Sequence, residues 1–381
     1  MSEHAVLAPS SAFRRRACAG SRALEAAYPE LEESPASREG TAAHWCAAEL
    51  MAGRTIDEGL IAPNGVMVTD EMVEGAEMYV DYMESIWTKF DLGKSRFRKV
   101  ECRTDISTIH EHCYGTPDLS IMWPRHLFIA DFKFGHEFVD AFENWQLIEY
   151  AAGELEYYDI DGISDQHTYV TMAIIQPRAY GHGGPIREWT ILASDLRGHF
   201  NEARRFETEA MKDNAPYTVS DACTYCSGRH VCPAYQQAAQ VATQYANTGI
   251  PFMLSNQAAA VELRYLKRAQ NILEGRISGL EVQLLEAGKR GESIPHWAIE
   301  AGQGKEVWKE SIPEAEIVAM GELLEKDLTK RKLVTPIQAR KILHNDDLVK
   351  AYTERRSGAL KLVPFDGSKF KKIFIDEAVT K

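Results

Sequence analysis

"GTPDLSIMWPRHLFIADFKFG", residues 115–135, decides how this chain is read. It sets one carboxylate, Asp118, in a Thr-Pro-Asp turn and a second, Asp131, two places before Lys133 in an otherwise apolar run. Side chains alternate along a strand, so Asp131 and Lys133 share one face while Phe128, Ala130, Phe132 and Phe134 share the other. The aromatic face is expected to fill a core and the Asp/Lys face to line a cleft. If the two apolar runs pair as a hairpin, Asp118 lies close to Asp131. Neighbouring carboxylates repel unless a divalent cation sits between them. A lysine alongside is then placed to stabilise an attacking hydroxide or the charge gathering on a phosphate. The competing reading is an ordinary surface ion pair beside a turn.

Outward from this stretch the pattern is mixed alpha and beta. "FRKVECRTDI" alternates upstream and, with the two runs above, predicts a three-stranded antiparallel meander. Helices are expected over about 38–53 and 70–90 before it and through "FENWQLIEYAAGELEYY" after it. "HTYVTMAIIQPR" and "REWTILA" read as strands, and "SDLRGHFNEARRFETEAMKD" as a helix capped by Ser194. From Ser255 to about Ala287, Leu266, Leu273, Ile277, Leu280 and Leu284 keep heptad-like spacing. One long helix follows from that spacing, packed on its own domain or, alternatively, on a second copy. The boundary is expected there, with one domain over 1–245 and a mainly helical one over 255–381.

The totals limit the class. A chain of 381 residues with 45% hydrophobic and 26% charged residues suits a globular protein of two domains, and a cytoplasmic one by default. No apolar run is long enough to span a membrane, and no membrane partner is expected. The net charge of -13 argues against a protein that coats nucleic acid. Local basic runs do occur at Arg14–Arg16, at Lys94, Arg96, Arg98 and Lys99, and at Lys330–Lys332.

Seven cysteines, without an export signal, point away from a disulfide framework. "CTYCSGRHVC" places Cys223, Cys226 and Cys232 in a tight trio, and crowded thiolates repel unless a metal or cluster binds them. The fourth donor is either His230, giving zinc in a cramped loop, or the distant Cys18. Cys46, Cys102 and Cys113 read as small buried hydrophobes.

Two further signals join the carboxylates. His44 sits among small residues in "EGTAAHWCAAEL", and Gln146 and Tyr150 fall on one face of a predicted helix. Taken in order, His44, the Pro-Asp carboxylate Asp118, the Asp-x-Lys of Asp131 and Lys133, and the Gln-x3-Tyr of Gln146 and Tyr150 resemble the RecB-like branch of the PD-(D/E)XK nucleases. That resemblance implies an α/β restriction-endonuclease-like core, a central mixed sheet flanked by helices. It implies Mg2+ or Mn2+ on His44, Asp118, Asp131 and the Phe132 carbonyl, with Lys133 catalytic. Gln146 and Tyr150 would contact DNA or organise the site, and Glu101 resembles a glutamate of the first core strand. The cysteine layout is similar to RecB-like nucleases with an iron-sulfur cluster, among them CRISPR-adaptation and AddB-type proteins. It implies a 4Fe-4S cluster on Cys18, Cys223, Cys226 and Cys232, with Zn2+ the alternative. Over its whole length the chain looks like a phage and prophage family with this nuclease core. The implied function is exonuclease action on DNA ends or single strands in phage replication or recombination, with Arg14–Arg16 lining a basic channel. A phage single-strand-binding or annealing protein is the implied partner. The reading from another class is a DNA-binding or assembly protein that keeps the fold and the cluster without cutting.

Overall fold

The computed structural model describes residues 5–29, 34–90, 97–158, 165–179, 183–246, 254–295 and 297. In chain order the helices and strands are α1 (Ala12–Ala17), α2 (Ser21–Ala27), α3 (Pro35–Met51), α4 (Asp70–Phe90), β1 (Phe97–Val100), β2 (Thr104–Asp105) and β3 (Tyr114–Gly115). They continue with β4 (Leu119–Trp123), β5 (His126–Phe132), α5 (Trp145–Tyr157), β6 (Tyr169–Ile175), β7 (Ile186–Leu192), α6 (Ala193–Ala210), α7 (Pro233–Ala246) and α8 (Asn256–Lys289).

Five strands form one sheet in the order β1-β4-β5-β6-β7. The expected meander is present, since β1, β4 and β5 pair antiparallel. β2 and β3 form a separate small hairpin inserted between β1 and β4. Pro124 and Arg125 turn the chain from β4 to β5, with Trp123 opposite His126. Arg125 takes a positive φ of 63°, as the third residue of a type II turn must. β6 then joins β5 in parallel, which requires the α5 crossover, and β7 returns antiparallel. This mixed sheet, covered by helices on both faces, is an α/β fold.

Alternation along the strands feeds two cores. Leu119, Ile121, Phe128, Ala130, Phe132, Ala173 and Ile175 pack with α3 and α4 on one face. Leu127, Ile129, Val170, Met172 and Ile174 pack with α5 and α6 on the other. The shared face of Asp131 and Lys133 is therefore not an open cleft as expected: α5 closes it, and the two charges sit at the end of a second core. Gly153 lets α5 lie against the β2–β3 hairpin as well, because any Cβ there would strike the Asp105 carbonyl and Thr104. α6 begins at Ala193 with Leu192 as N-cap, so Ser194 does not cap it and instead meets Asp195.

Charges inside the second core bind the N-terminus to it. Arg15, 2% exposed, donates from Nε to both Glu207 carboxylate oxygens at 2.8 and 2.6 Å and from Nη1 to the Ala8 carbonyl at 2.9 Å. Its Nη2 lies 3.7 Å from Glu149 Oε2. Burial, and then the Glu207 charge, push the Glu149 carboxyl well above the usual range. The three arginines of the run Arg14–Arg16 are each engaged within the chain. Arg14 pairs with Glu25, Arg15 is internal, and Arg16 pairs with Glu202 and covers the Trp145 ring. Of the second basic run, Lys99 is pulled onto buried Glu154 and Arg98 onto Trp87, while Lys94 and Arg96 lie outside the described residues.

The chain divides into two compact units, Met1–Ile299 and Glu300–Lys381. The boundary falls later than expected, because α8 packs on the cysteine-bearing loops and on α7. Ser255 caps it, accepting from the Ala258 N–H at 3.2 Å. The packed face is not the leucine stripe: Gly275 meets Tyr235 and Thr224, and Gly279 meets Arg229 and His230. Tryptophan 308, the "ARKILHNDDLVKAYTERR" stretch and Lys330–Lys332 lie outside the described residues. No helix among the described residues is long and apolar enough to cross a membrane.

Because Arg15 neutralises buried Glu207, its removal strands a charge. Arg15→Met is expected to lower unfolding free energy by about 3–5 kcal/mol in urea titration. A loss under about 1 kcal/mol would show that the pair carries no such weight.

Candidate functional site

The site forms where β4 and β5 end. Pairing of Leu119 with Ala130 sets Asp118 opposite the Asp131 end of β5. There the Phe132 backbone N–H donates to Asp118 Oδ2 at 2.6 Å, locking a carboxylate that is 8% exposed. Upstream, the Tyr150 hydroxyl donates to the Thr116 carbonyl at 3.2 Å and holds the turn that presents Asp118. Tyr150 is itself buried, so it organises this turn from within.

His44 arrives from the opposite face of the sheet. Ser34 caps α3 and Pro35 starts it, while Ala42, Ala43, Cys46 and Ala47 are buried along its inner side. Such small residues let the helix lie close to the sheet. His44 Nδ1 then sits 3.4 Å from Asp118 Oδ1, its ring edge-on to Phe132 at 5.3 Å. Burial alone would lower the imidazole pKa, but the Asp118 carboxylate and its hydrogen bond outweigh it and raise it to about 9. The same contacts, with the Phe132 N–H, hold Asp118 below its ordinary value in spite of burial.

Glu101 completes the group. It follows β1 with a φ of 47°, a conformation that costs a non-glycine residue about 1–3 kcal/mol. Its N–H donates to the Asp118 carbonyl at 3.1 Å. Ligand atoms of His44, Glu101 and Asp118 all fall within 4.8 Å of one another. Partial desolvation, and then the Asp118 charge, push Glu101 up to about 7. These three residues line one cavity with Tyr79 and Phe132, and the Tyr79 hydroxyl is buried there without a hydrogen-bond partner. One nitrogen and two carboxylate donors around an unpartnered hydroxyl fit a divalent cation with its water.

Asp131 stands apart from that triad. Lys133 Nζ lies 2.9 Å from Asp131 Oδ2 and donates to Gln146 Oε1 at 3.0 Å, while Gln146 Nε2 donates to Asp131 Oδ1 at 2.7 Å. This closed ring of three side chains holds the ammonium at the site. Burial would lower the lysine pKa, but Asp131 raises it, so the ammonium stays charged. Burial raises Asp131 itself, against the pull of Lys133. Of the expected ligands His44, Asp118, Asp131 and the Phe132 carbonyl, His44 and Asp118 fall in this cluster with Glu101, and Asp131 is held by Lys133 and Gln146.

Gln176, which the sequence reading passed over in "IIQPR", fixes the loop after Lys133. Fully buried, it donates to the carbonyls of Gly135 and Glu137 and accepts from the Val139 N–H and Arg187 Nη2. A lone amide at the end of an apolar strand was the available signal, since burial demands partners for all its polar atoms.

The cysteines form a second cluster. Cys18, at the end of α1, lines one cavity with Cys223, Cys226 and Cys232, although about two hundred residues separate them. The Thr218 and Ser220 N–H groups donate to Cys18 Sγ at 3.3 Å and Cys223 Sγ at 3.4 Å. Burial raises the Cys18 and Cys223 thiols and pushes Cys226 up to about 12, so without a bound cation these thiols stay protonated near neutral pH. Among the described residues, no three of these sulfurs fall within 4.8 Å of one another. His230 is turned elsewhere, with Nδ1 at 3.1 Å from the Ser227 carbonyl and its ring edge-on to Tyr28. Cys46 and Cys113 are buried as expected, but Cys102 is exposed, its Sγ at 3.2 Å from the Val100 carbonyl.

The raised His44 pKa fixes a pH dependence. A protonated imidazole beside Asp118 stabilises the metal-free fold fully below pH 6.5, and that contribution is lost as pH rises through about 9. The imidazole is 34% exposed, so solvent screens part of the attraction. Metal-free protein is expected to melt lower at pH 9 than at pH 6.5, with a smaller difference in His44→Asn. Added Mn2+ should restore the melting temperature at pH 9, where the imidazole is free to ligate. Equal pH slopes in the two proteins would contradict the His44–Asp118 pairing.

A family profile described as "Protein of unknown function (DUF2800)" matches residues 4–369. With nearly the whole chain matched, sheet, histidine-carboxylate cluster and cysteine knuckle included, this protein belongs to the DUF2800 family.

Proposed function

We propose that the protein is a divalent-metal-dependent DNA nuclease of the RecB-like PD-(D/E)XK kind, acting on DNA ends or single strands. The observation that carries this reading is the convergence of His44 from α3, Glu101 just after β1, Asp118 just before β4, Asp131 near the end of β5 and Lys133 just after it. A surface ion pair would leave Asp131 and Lys133 in solvent; here Asp131 is 3% exposed and both are bound to Gln146. The order of a helix, three antiparallel strands, a crossover helix and a parallel strand supports the nuclease-core reading.

His44, Glu101 and Asp118 would hold Mg2+ or Mn2+, with Asp131 and the Phe132 carbonyl available beside them. Such a cation supplies charge neutralisation for the phosphate and lowers the pKa of a coordinated water. Lys133, kept charged by Asp131, presents an ammonium that orients a nucleophile or binds a phosphoryl oxygen. Gln146 fixes where that ammonium sits, and Tyr150 with the Phe132 N–H fixes Asp118. Cys18, Cys223, Cys226 and Cys232 would hold a 4Fe-4S cluster whose work is structural, tying α1 to the loops that precede α7. With a net charge of -13, contact with DNA must be confined to this site.

Cleavage of end-labelled linear DNA with Mg2+ or Mn2+ should fall by about two orders of magnitude or more in Asp131→Ala. Equal activity in the two proteins rejects the assignment, and binding without cutting in every divalent metal supports the non-cleaving alternative. Circular single-stranded substrate separates exonuclease from endonuclease action.

Protein purified anaerobically is expected to be brown and to carry about four irons with matching sulfide. Cys18→Ser should lose that colour. Zinc alone, in a colourless protein, would contradict the cluster.

A further inference from the structure

We infer that Leu263 to Ala287 of α8 form a parallel two-stranded coiled coil with the same segment of a second copy of this chain. Along this stretch one heptad register runs unbroken. Leu263, Gln270, Ile277 and Leu284 take the first core position, and Leu266, Leu273, Leu280 and Ala287 the second. Four of these residues lie open in the single chain: Leu263 is 38% exposed, Leu266 41%, Ile277 54% and Leu280 37%. An apolar seam about 37 Å long on an amphipathic helix needs a cover.

The packing of α8 in its own chain leaves the seam free for one. Gly275 and Gly279 seat the helix on the cysteine-bearing loops, and at 3.6 residues per turn they lie about 170° and 130° from the seam. The same helix therefore grips its own domain with its glycine face and offers the heptad face outward.

Charge selects a second copy, in parallel, as the occupant. Flanking positions that meet across a parallel, in-register pair bring Glu262 opposite the second chain's Lys267 and Arg276 opposite its Glu281, each twice by symmetry. Arg276 uses Nη1 on the carbonyls of Arg229 and His230, and the rest of its fork can engage Glu281. A β-branched residue at the first core position with leucines at the second, as Ile277 has, favours two strands. Gln270 sits at one core position, where a single polar residue fixes register; its amide already donates to Glu274 at 2.7 Å.

Sedimentation equilibrium of the full chain tests this directly. Wild type should show twice the chain mass at micromolar concentration, and Ile277→Asp with Leu280→Asp should halve it without loss of the fold by circular dichroism. Glu262→Lys should raise the dimer dissociation constant roughly fivefold, and adding Lys267→Glu should restore it. A wild-type monomer at tens of micromolar overturns the proposal, whether the seam is bare or covered by another part of the chain. A dimer indifferent to the Ile277 and Leu280 changes overturns it equally.

Discussion

The register of one hairpin supports most of what this protein presents. Because Leu119 faces Ala130, the Phe132 N–H meets the Asp118 carboxylate at 2.6 Å, and a buried acid acquires a fixed orientation. A slip of one residue in β5 would turn Asp131 and Lys133 toward the α3 and α4 core and expel Phe132 and Phe134 from it, and would part the Phe132 N–H from Asp118. The type II turn at Pro124–Arg125 and the two cores on either face make that slip costly. Site geometry and hydrophobic packing are therefore one constraint.

Around this hairpin, polar groups are buried only where they are answered. Asp131, Lys133 and Gln146 close a ring; Gln176 satisfies four backbone and side-chain partners; Arg15 joins α1 to α5 and α6 through Glu149 and Glu207. The last of these matters for the cysteines, because Cys18 follows Arg15 by three residues. Anchoring α1 in the second core delivers Cys18 to the cavity lined by the other three thiols. Tyr225, beside Cys226, bonds Glu137 in the loop after Lys133, so the two clusters share a boundary.

Much of this was legible in the sequence, where local pattern and packing agree. Alternation in "LFIADFKFG" gave the two strand faces, and the Ala-rich flank of His44 gave its close approach. What the pattern missed depended on tertiary context. Glu101 entered through its resemblance to a first-strand glutamate alone, because neither its positive φ nor its place beside His44 is written in the strand alternation. Arg14–Arg16 looked like a basic patch, but the buried Glu149 and Glu207 that claim Arg15 lie far along the chain. The face of Asp131 read as a cleft because a strand does not reveal which helix covers it, and Gly153 gave no sign of the close approach it permits. Heptad spacing in α8 was visible, but its glycine face, which decides what the helix packs on, was not.

The central claim is that His44, Glu101 and Asp118, from three separate segments, meet to hold one hard cation at the end of this hairpin. Anomalous diffraction from crystals grown with Mn2+ measures it most directly. The account predicts a single strong peak bounded by His44, Glu101 and Asp118, on the side of the Tyr79 hydroxyl. An empty cavity at millimolar Mn2+, or a peak elsewhere with His44 still paired to Asp118, would contradict it.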